Sequence, residues 1–297
     1  MITAIVPIML IVGLGFLLES RLRQETRTLA QVSIYVLLPA LVFTSLLTTE
    51  LTLGEALPLI ALVLLLTAVL WIIGKGVSKL RRYGQEEESV FLITTMFMNA
   101  GNMGMPVAFY AFGERGLDIA VIWVLCINTL TNFIAIYYVS RHRGGGLQAI
   151  RTVFTLPTLY AAAVALVMRC LGLGLPSLLL QPIQMLGRAV IPVAQLLLGI
   201  QLAKARTQIG DHLPQTILPN FIRLALSPAI AFALVLLLGV EGVAAKAAIL
   251  LAGMPTAVNM AIYATEFELR PRRTATVVFT STLASFVTLS ALLFLLG

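Results

Sequence analysis

Ten apolar runs, near 2–18, 28–48, 56–74, 89–112, 118–139, 156–173, 180–202, 216–238, 243–265 and 274–296, follow one another through the 297-residue chain with only short connections. A helix crossing hydrocarbon needs about 20 largely apolar residues, because every backbone N–H and C=O must find its partner inside the segment. The pattern predicts an all-α polytopic membrane protein of ten transmembrane helices, with the lipid bilayer as its main partner and no sizeable soluble domain. Charged residues make up only 11% of the chain, against roughly 25% in a soluble domain, so no water-facing surface can be built from them. The first run lacks the positive segment that opens a cleavable signal and reads as a span. Two cysteines, Cys126 and Cys170, imply neither a disulfide framework nor a metal site.

A net charge of +7 raises the question of nucleic acid, but the basic residues fall in short clusters between apolar runs, which is the pattern of membrane topology. Fifteen of them lie in odd-numbered connections (Arg21, Arg23, Arg27; Lys75, Lys79, Arg81, Arg82; Arg141, Arg143, Arg151; Lys204, Arg206; Arg270, Arg272, Arg273) and three in even-numbered ones (Arg115, Arg169, Lys246). The positive-inside rule makes the odd connections cytoplasmic and puts both termini outside. Arg188 and Arg223 fall within runs. Arg223 is expected to snorkel to the cytoplasmic interface; Arg188 can snorkel outward or serve as a fixed cation for an anionic substrate.

A shift of 153 residues lays Pro39 on Pro192, Ala108 on Ala261, Tyr110 on Tyr263, Asn128 on Ser281 and Asn132 on Ser285. The same shift pairs Asn102 with Pro255 and Pro106 with Asn259. This reads as two five-helix halves, 1–140 and 156–297, joined by a short cytoplasmic linker at 141–155 and interleaved into one membrane domain. Five is odd, so the second half inserts inverted, an arrangement typical of secondary transporters.

Two of the matched runs are poor continuous helices. Asn99-Ala-Gly-Asn-Met-Gly-Met-Pro106 interrupts the fourth and Gly253-Met-Pro-Thr-Ala-Val-Asn259 the ninth. Proline removes a donor and clashes with the preceding turn, and glycine loosens the backbone. Freed backbone groups in hydrocarbon are costly unless protein, water or ligand pairs them. Paired breaks at matching depth therefore predict a polar cavity near the midplane. Pro106 and Pro255 suit the first turn of the helices that follow, whose positive N-terminal ends match a carboxylate. Asn99, Gly101, Asn102, Thr256 and Asn259 supply close backbone approach and neutral hydrogen-bonding groups. Asn128 and Asn132 share a face of the fifth run and Ser281 lies opposite; Tyr110 and Tyr263 follow the breaks by one turn. The competing reading is that the breaks are proline kinks whose small residues let helices pack. No acidic residue lies in the middle of a run, which argues against a cation pump and leaves no acid or base for an intramembrane enzyme. His142 and His212 fall in connections.

At these residues the chain resembles the auxin efflux carrier family, within the bile/arsenite/riboflavin transporter superfamily. The likeness covers the whole chain. Its most specific parts are Asn99 to Pro106 and Met254 to Asn259, supported by Pro192 and Gly199. The resemblance implies ten helices with crossed, broken helices 4 and 9, elevator-type alternating access, and Asn102, Pro106, Pro255 and Asn259 at the crossover, with Asn128 touching substrate. It implies a small organic anion, auxin-like or malate/malonate-like, as substrate, in a bacterial inner membrane. No cofactor or metal is expected; the coupling ion stays open between none, proton and sodium, and a homodimer stays open too. Two other readings remain: a sodium-coupled organic-anion symporter of the bile-acid type, and a membrane sensor that binds without transport. Tags fused to the two termini test the topology, since both should be reached by protease added outside intact spheroplasts and neither in inverted vesicles.

Overall fold

The computed structural model describes residues 2–22, 26–135, 137–138, 157–206 and 213–296. The expected linker at 141–155 and both histidines lie outside these residues. Among the described residues the elements are helical, and six helical segments are long and apolar enough to cross a membrane: Thr28–Thr48, Leu53–Leu80, Ala100–Ala135, Ser177–Arg206, Leu213–Leu237 and Pro271–Leu296. Shorter apolar helices occupy Val6–Glu19, Pro157–Cys170 and Gly242–Ala252. Such a chain is a multi-pass membrane protein.

The longest segment merges the fourth and fifth runs. Its helix Met105–Leu130 turns at Gly113, where φ is 67° and ψ −155°, a conformation essentially reserved for glycine. Two helices meet at this kink with no loop between them, at the place where one run was expected to end and the next to begin. Both interruptions are present. Helix Gln85–Met96 stops before a non-helical stretch at 97–99, and Gly242–Ala252 stops before a longer one at 253–258. The helices restart at Ala100 and Asn259. Pro106 stands in the first turn of the α-helix Met105–Leu130, as expected, directly after a π-helical turn, Ala100–Gly104. Pro255 lies inside the second break, so the expectation that it starts a half-helix is corrected. Asn99 caps the π-helical turn, its Oδ1 accepting from the Asn102 N–H at 3.2 Å.

Helices pack in two groups. In one, Ile2–Leu22 lies along Val190–Arg206, and Leu38–Thr48 packs on Pro157–Cys170 and Ser177–Arg188. In the other, Leu53–Leu80 packs on Gln85–Met96, Met105–Leu130 and Ser227–Leu237, while Gly242–Ala252 packs on Ser227–Leu237 and Met105–Leu130. The second group carries both breaks. The groups meet where Val190–Arg206 faces the Ala100–Gly104 turn and Pro271–Leu296.

Within the first group the contact is backbone to backbone. A Cβ on Gly199 would stand 2.0 Å from the Val12 carbonyl oxygen and 2.7 Å from the Phe16 nitrogen, and one on Gly15 would stand 2.3 Å from the Leu196 oxygen. Lipid tails offer no hydrophobic drive between helices, so such close approach through small residues is how helices gain contact in a membrane. Gly199→Leu should therefore force the pair apart and cost about 1–3 kcal/mol, read as a lower unfolding midpoint in detergent. Gly13→Ala, whose added Cβ meets nothing within 4 Å, should leave the midpoint unchanged.

Candidate functional site

Two non-helical stretches between buried apolar helices leave backbone groups to be satisfied, and the structure answers them largely by joining one break to the other. Met98 and Thr256 form an antiparallel bridge. The Asn99 N–H donates to the Pro255 carbonyl at 2.7 Å, and the Ala257 N–H donates to the Phe97 carbonyl at 3.0 Å. Side chains answer further groups. The Thr256 hydroxyl donates to the Thr94 carbonyl at 2.8 Å, and the Thr256 N–H donates to Ser281 Oγ at 3.2 Å. Trp123, fully buried, donates its indole N–H to Met98 Sδ at 3.0 Å. Each unanswered group would cost about 2–7 kcal/mol in an apolar setting, so this lacing makes the interruption tolerable.

Arg223 completes the set and corrects the snorkelling expectation. Its side chain is fully buried. The guanidinium donates to the carbonyls of Thr95 at 2.9 Å, Met96 at 3.1 Å and Ala252 at 2.6 Å, and to the Ser227 hydroxyl. Those carbonyls belong to the last turns of both half-helices that precede the breaks.

On the other side of the meeting point lies a cavity of about 150 Å³ at the interface between the two helix groups. Of the residues singled out from the sequence, Asn99, Gly101, Asn102, Asn128 and Asn259 line it. The helix starts at Ala100 and Asn259 thus face a shared space. Asn99 is 5% exposed, and its Nδ2 has no partner. A Cβ on Gly101 would meet nothing within 4 Å, so that glycine leaves room open, whereas one on Gly104 would press on the Leu251 side chain at 2.9 Å.

The remaining residues are elsewhere. Thr256 and Ser281 are fully buried and hold backbone. Pro106 and Pro255 are buried behind the lining. Asn132 turns its Nδ2 back to the Asn128 carbonyl at 2.8 Å. Tyr110 and Tyr263 are outside the lining, Tyr110 with its ring edge-on to Phe109. Arg188 is exposed and 3.3 Å from Glu114. It borders a separate hollow of about 400 Å³, with Glu50, Arg115 and Asp118, that shares no lining residue with the central cavity.

The cavity also holds polar groups that the sequence reading missed: Ser33, Thr131 and Gln201. Gln201 Oε1 is buried without a partner. Val190, Ala194, Leu197 and Gln201 all line the cavity, and their spacing is one helical face, so a lone amide at the end of that stripe was the available signal. Four π-helical turns occur among the described residues, Ser33–Leu37, Ala100–Gly104, Thr131–Ala135 and Ile222–Leu226. Three contribute cavity residues and the fourth carries Arg223. Such turns often mark functional sites in helices. A further hollow of about 370 Å³ shares Gln201, Val258 and Ile262 with the cavity and leads towards Lys204 and Glu266.

The model of a family described as membrane transport protein matches residues 1–150 and 141–293. The chain belongs to this family, the auxin efflux carriers. Among curated proteins, an uncharacterized transporter of Methanocaldococcus jannaschii is 24% identical over 300 residues, covering 97% of this chain and 96% of that one. An uncharacterized transporter of Methanothermobacter thermautotrophicus is 25% identical over 299 residues, covering 96% and 95%. The family and these relatives make the chain a transporter.

Within this carrier, structural and lining roles should separate by experiment. Thr256→Val keeps the shape but strands the Thr94 carbonyl, and should cost about 1–3 kcal/mol, measured as a lower thermal midpoint. Gly101→Ala should leave the midpoint unaltered.

Proposed function

We propose that this carrier moves a small mono- or dicarboxylate across the membrane by alternating access, with the anion held in the cavity between the two breaks. The observation that carries this reading is that two helix starts and four asparagines converge on one cavity in which Asn99 Nδ2 lacks a partner. Helix N-termini carry about half a positive charge each and favour an anion. The preceding half-helices would present negative C-terminal ends to the same region, but Arg223 lies against both. The balance left at the crossing is positive. Asparagine donors then orient the carboxylate without the large cost of a further charge in hydrocarbon. A cavity of about 150 Å³ suits a guest of benzene size, so short carboxylates fit better than a large auxin-like molecule.

The ten spans, inverted halves and crossover inferred from the sequence supply the mechanism. The group holding both breaks moves as an elevator against the group tied together through Gly15 and Gly199, and the guest travels with it. With Lys204 on the cytoplasmic side, as the charge pattern requires, the hollow that continues the cavity leads inward. The Arg188 hollow then belongs to the outer face, and this state faces the cytoplasm. In a bacterial inner membrane, export of an anion is assisted by about 2.3 kcal/mol per charge per 100 mV of inside-negative potential.

The test is counterflow of radiolabelled short carboxylates, malonate and malate first, in proteoliposomes. Asn102→Ala and Asn259→Ala should each cut the rate at least ~10-fold, the loss expected when about 1.4 kcal/mol of guest contact goes, with yield and midpoint kept. Rates equal to wild type in both variants would remove the cavity from the pathway. Carboxylate binding without any counterflow would favour a sensor.

A further inference from the structure

Arg223 is the inference. A charge buried in a membrane is tolerated when a counter-charge or its equivalent meets it, and here the acceptors are three carbonyls and one hydroxyl, with no carboxylate among them. The equivalent is supplied by geometry. Helices Gln85–Met96 and Gly242–Ala252 end at this point, and two helix C-termini of about half a negative charge each sum to the charge of one guanidinium. Ser227 Oγ also donates to the Ala252 carbonyl at 2.8 Å, so the hydroxyl is held with its lone pairs free for the cation.

That oxygen set has a second meaning. Carbonyls at unwound backbone and at half-helix C-terminal ends, together with a hydroxyl, are what a sodium-coupled carrier uses to hold its ion. Here a side chain from the π-helical turn Ile222–Leu226 fills the position. We propose that Arg223 is a tethered replacement for a coupling cation: it completes the crossing of the two breaks as a bound sodium would, but cannot leave. The crossing is therefore held together with no ion from solution, and a sodium gradient has nothing to act on. The consequence for flux rests on the transporter reading above; the occupancy of the oxygen set does not. Removing the guanidinium should leave a vacant cation site lined by Thr95, Met96 and Ala252 carbonyls and the Ser227 hydroxyl.

The experiment is thermal unfolding of the purified full chain in detergent, in sodium chloride and in choline chloride at equal ionic strength. Wild type should show the same midpoint in both. Arg223→Ala should fall by roughly 5–10 °C in choline chloride and regain at least half of that on adding about 5 mM guanidinium or methylguanidinium chloride, by preferential binding to the folded state. Sodium chloride should restore part of it too. A wild-type midpoint that rises in sodium over choline, or an Arg223→Ala loss that neither guanidinium nor sodium changes, overturns the proposal. If the variant is too unstable to purify, the same additions are made during extraction and scored as monodisperse protein; gain with guanidinium supports the proposal and no gain overturns it. None of these readings uses a substrate. Failure of carboxylate counterflow with guanidinium rescue intact would sink the transport reading alone, and sodium-stimulated counterflow in wild type would sink this one alone.

Discussion

The structure depends on two hydrogen bonds between segments that are far apart in sequence: the Asn99 N–H to the Pro255 carbonyl, and the Ala257 N–H to the Phe97 carbonyl. A membrane interior has no water to take the place of a lost helical partner, so irregular backbone survives there only where protein or a lined cavity satisfies it. Each break is the other's partner. Neither could exist alone in these apolar surroundings without stranded groups, which is why glycine, proline and asparagine can stand between otherwise apolar helices here.

Pairing the breaks also sorts charge. The helices that stop at Met96 and Ala252 point their negative ends at Arg223, and the helices that start at Ala100 and Asn259 offer their positive ends to the cavity. Arg223 answers one side of the meeting point, and the other side opens on the cavity. The proposal of an anionic guest rests on this asymmetry and not on any basic residue in the cavity wall, whose polar members are neutral amides and hydroxyls.

Much of this was legible in the sequence for a simple physical reason. Hydrocarbon demands long apolar runs and penalises every exception, so Asn99, Asn102, Asn128 and Asn259 stood out against their surroundings, and each lines the cavity. What could not be read was which exception faces the cavity and which repairs the backbone. Thr256 and Ser281 look like lining residues, yet they answer groups freed by the break. Arg188 and Arg223 look alike on a hydropathy profile, each a few residues inside a span. Their fates differ because two helix ends meet beside Arg223, while Arg188 has an exposed Glu114 within reach. One helix restart was misplaced for a related reason: Pro106 stands in the first turn of Met105–Leu130, behind a π-helical turn capped by Asn99, but Pro255 gives its carbonyl to the Asn99 N–H and stays inside the break. Gly113 is a similar case, since a lone glycine does not announce that two helices will meet there at a kink without a loop.

Rigid packing on one side of the cavity and interruption on the other divide the labour. Helices Ile2–Leu22 and Val190–Arg206 are pressed together at Gly15 and Gly199, while the opposing wall is built from the two interrupted segments that bridge at Met98 and Thr256. The account stands or falls on whether a negatively charged guest sits where those segments meet. A structure determined with a bromine-substituted short carboxylate tests this most directly, through the anomalous signal of the halogen. The account predicts a single bromine peak inside the cavity, between the helix starts at Ala100 and Asn259 and within reach of Asn102. A peak only in the Arg188 hollow, or two uninterrupted helices with no space between them, would contradict it.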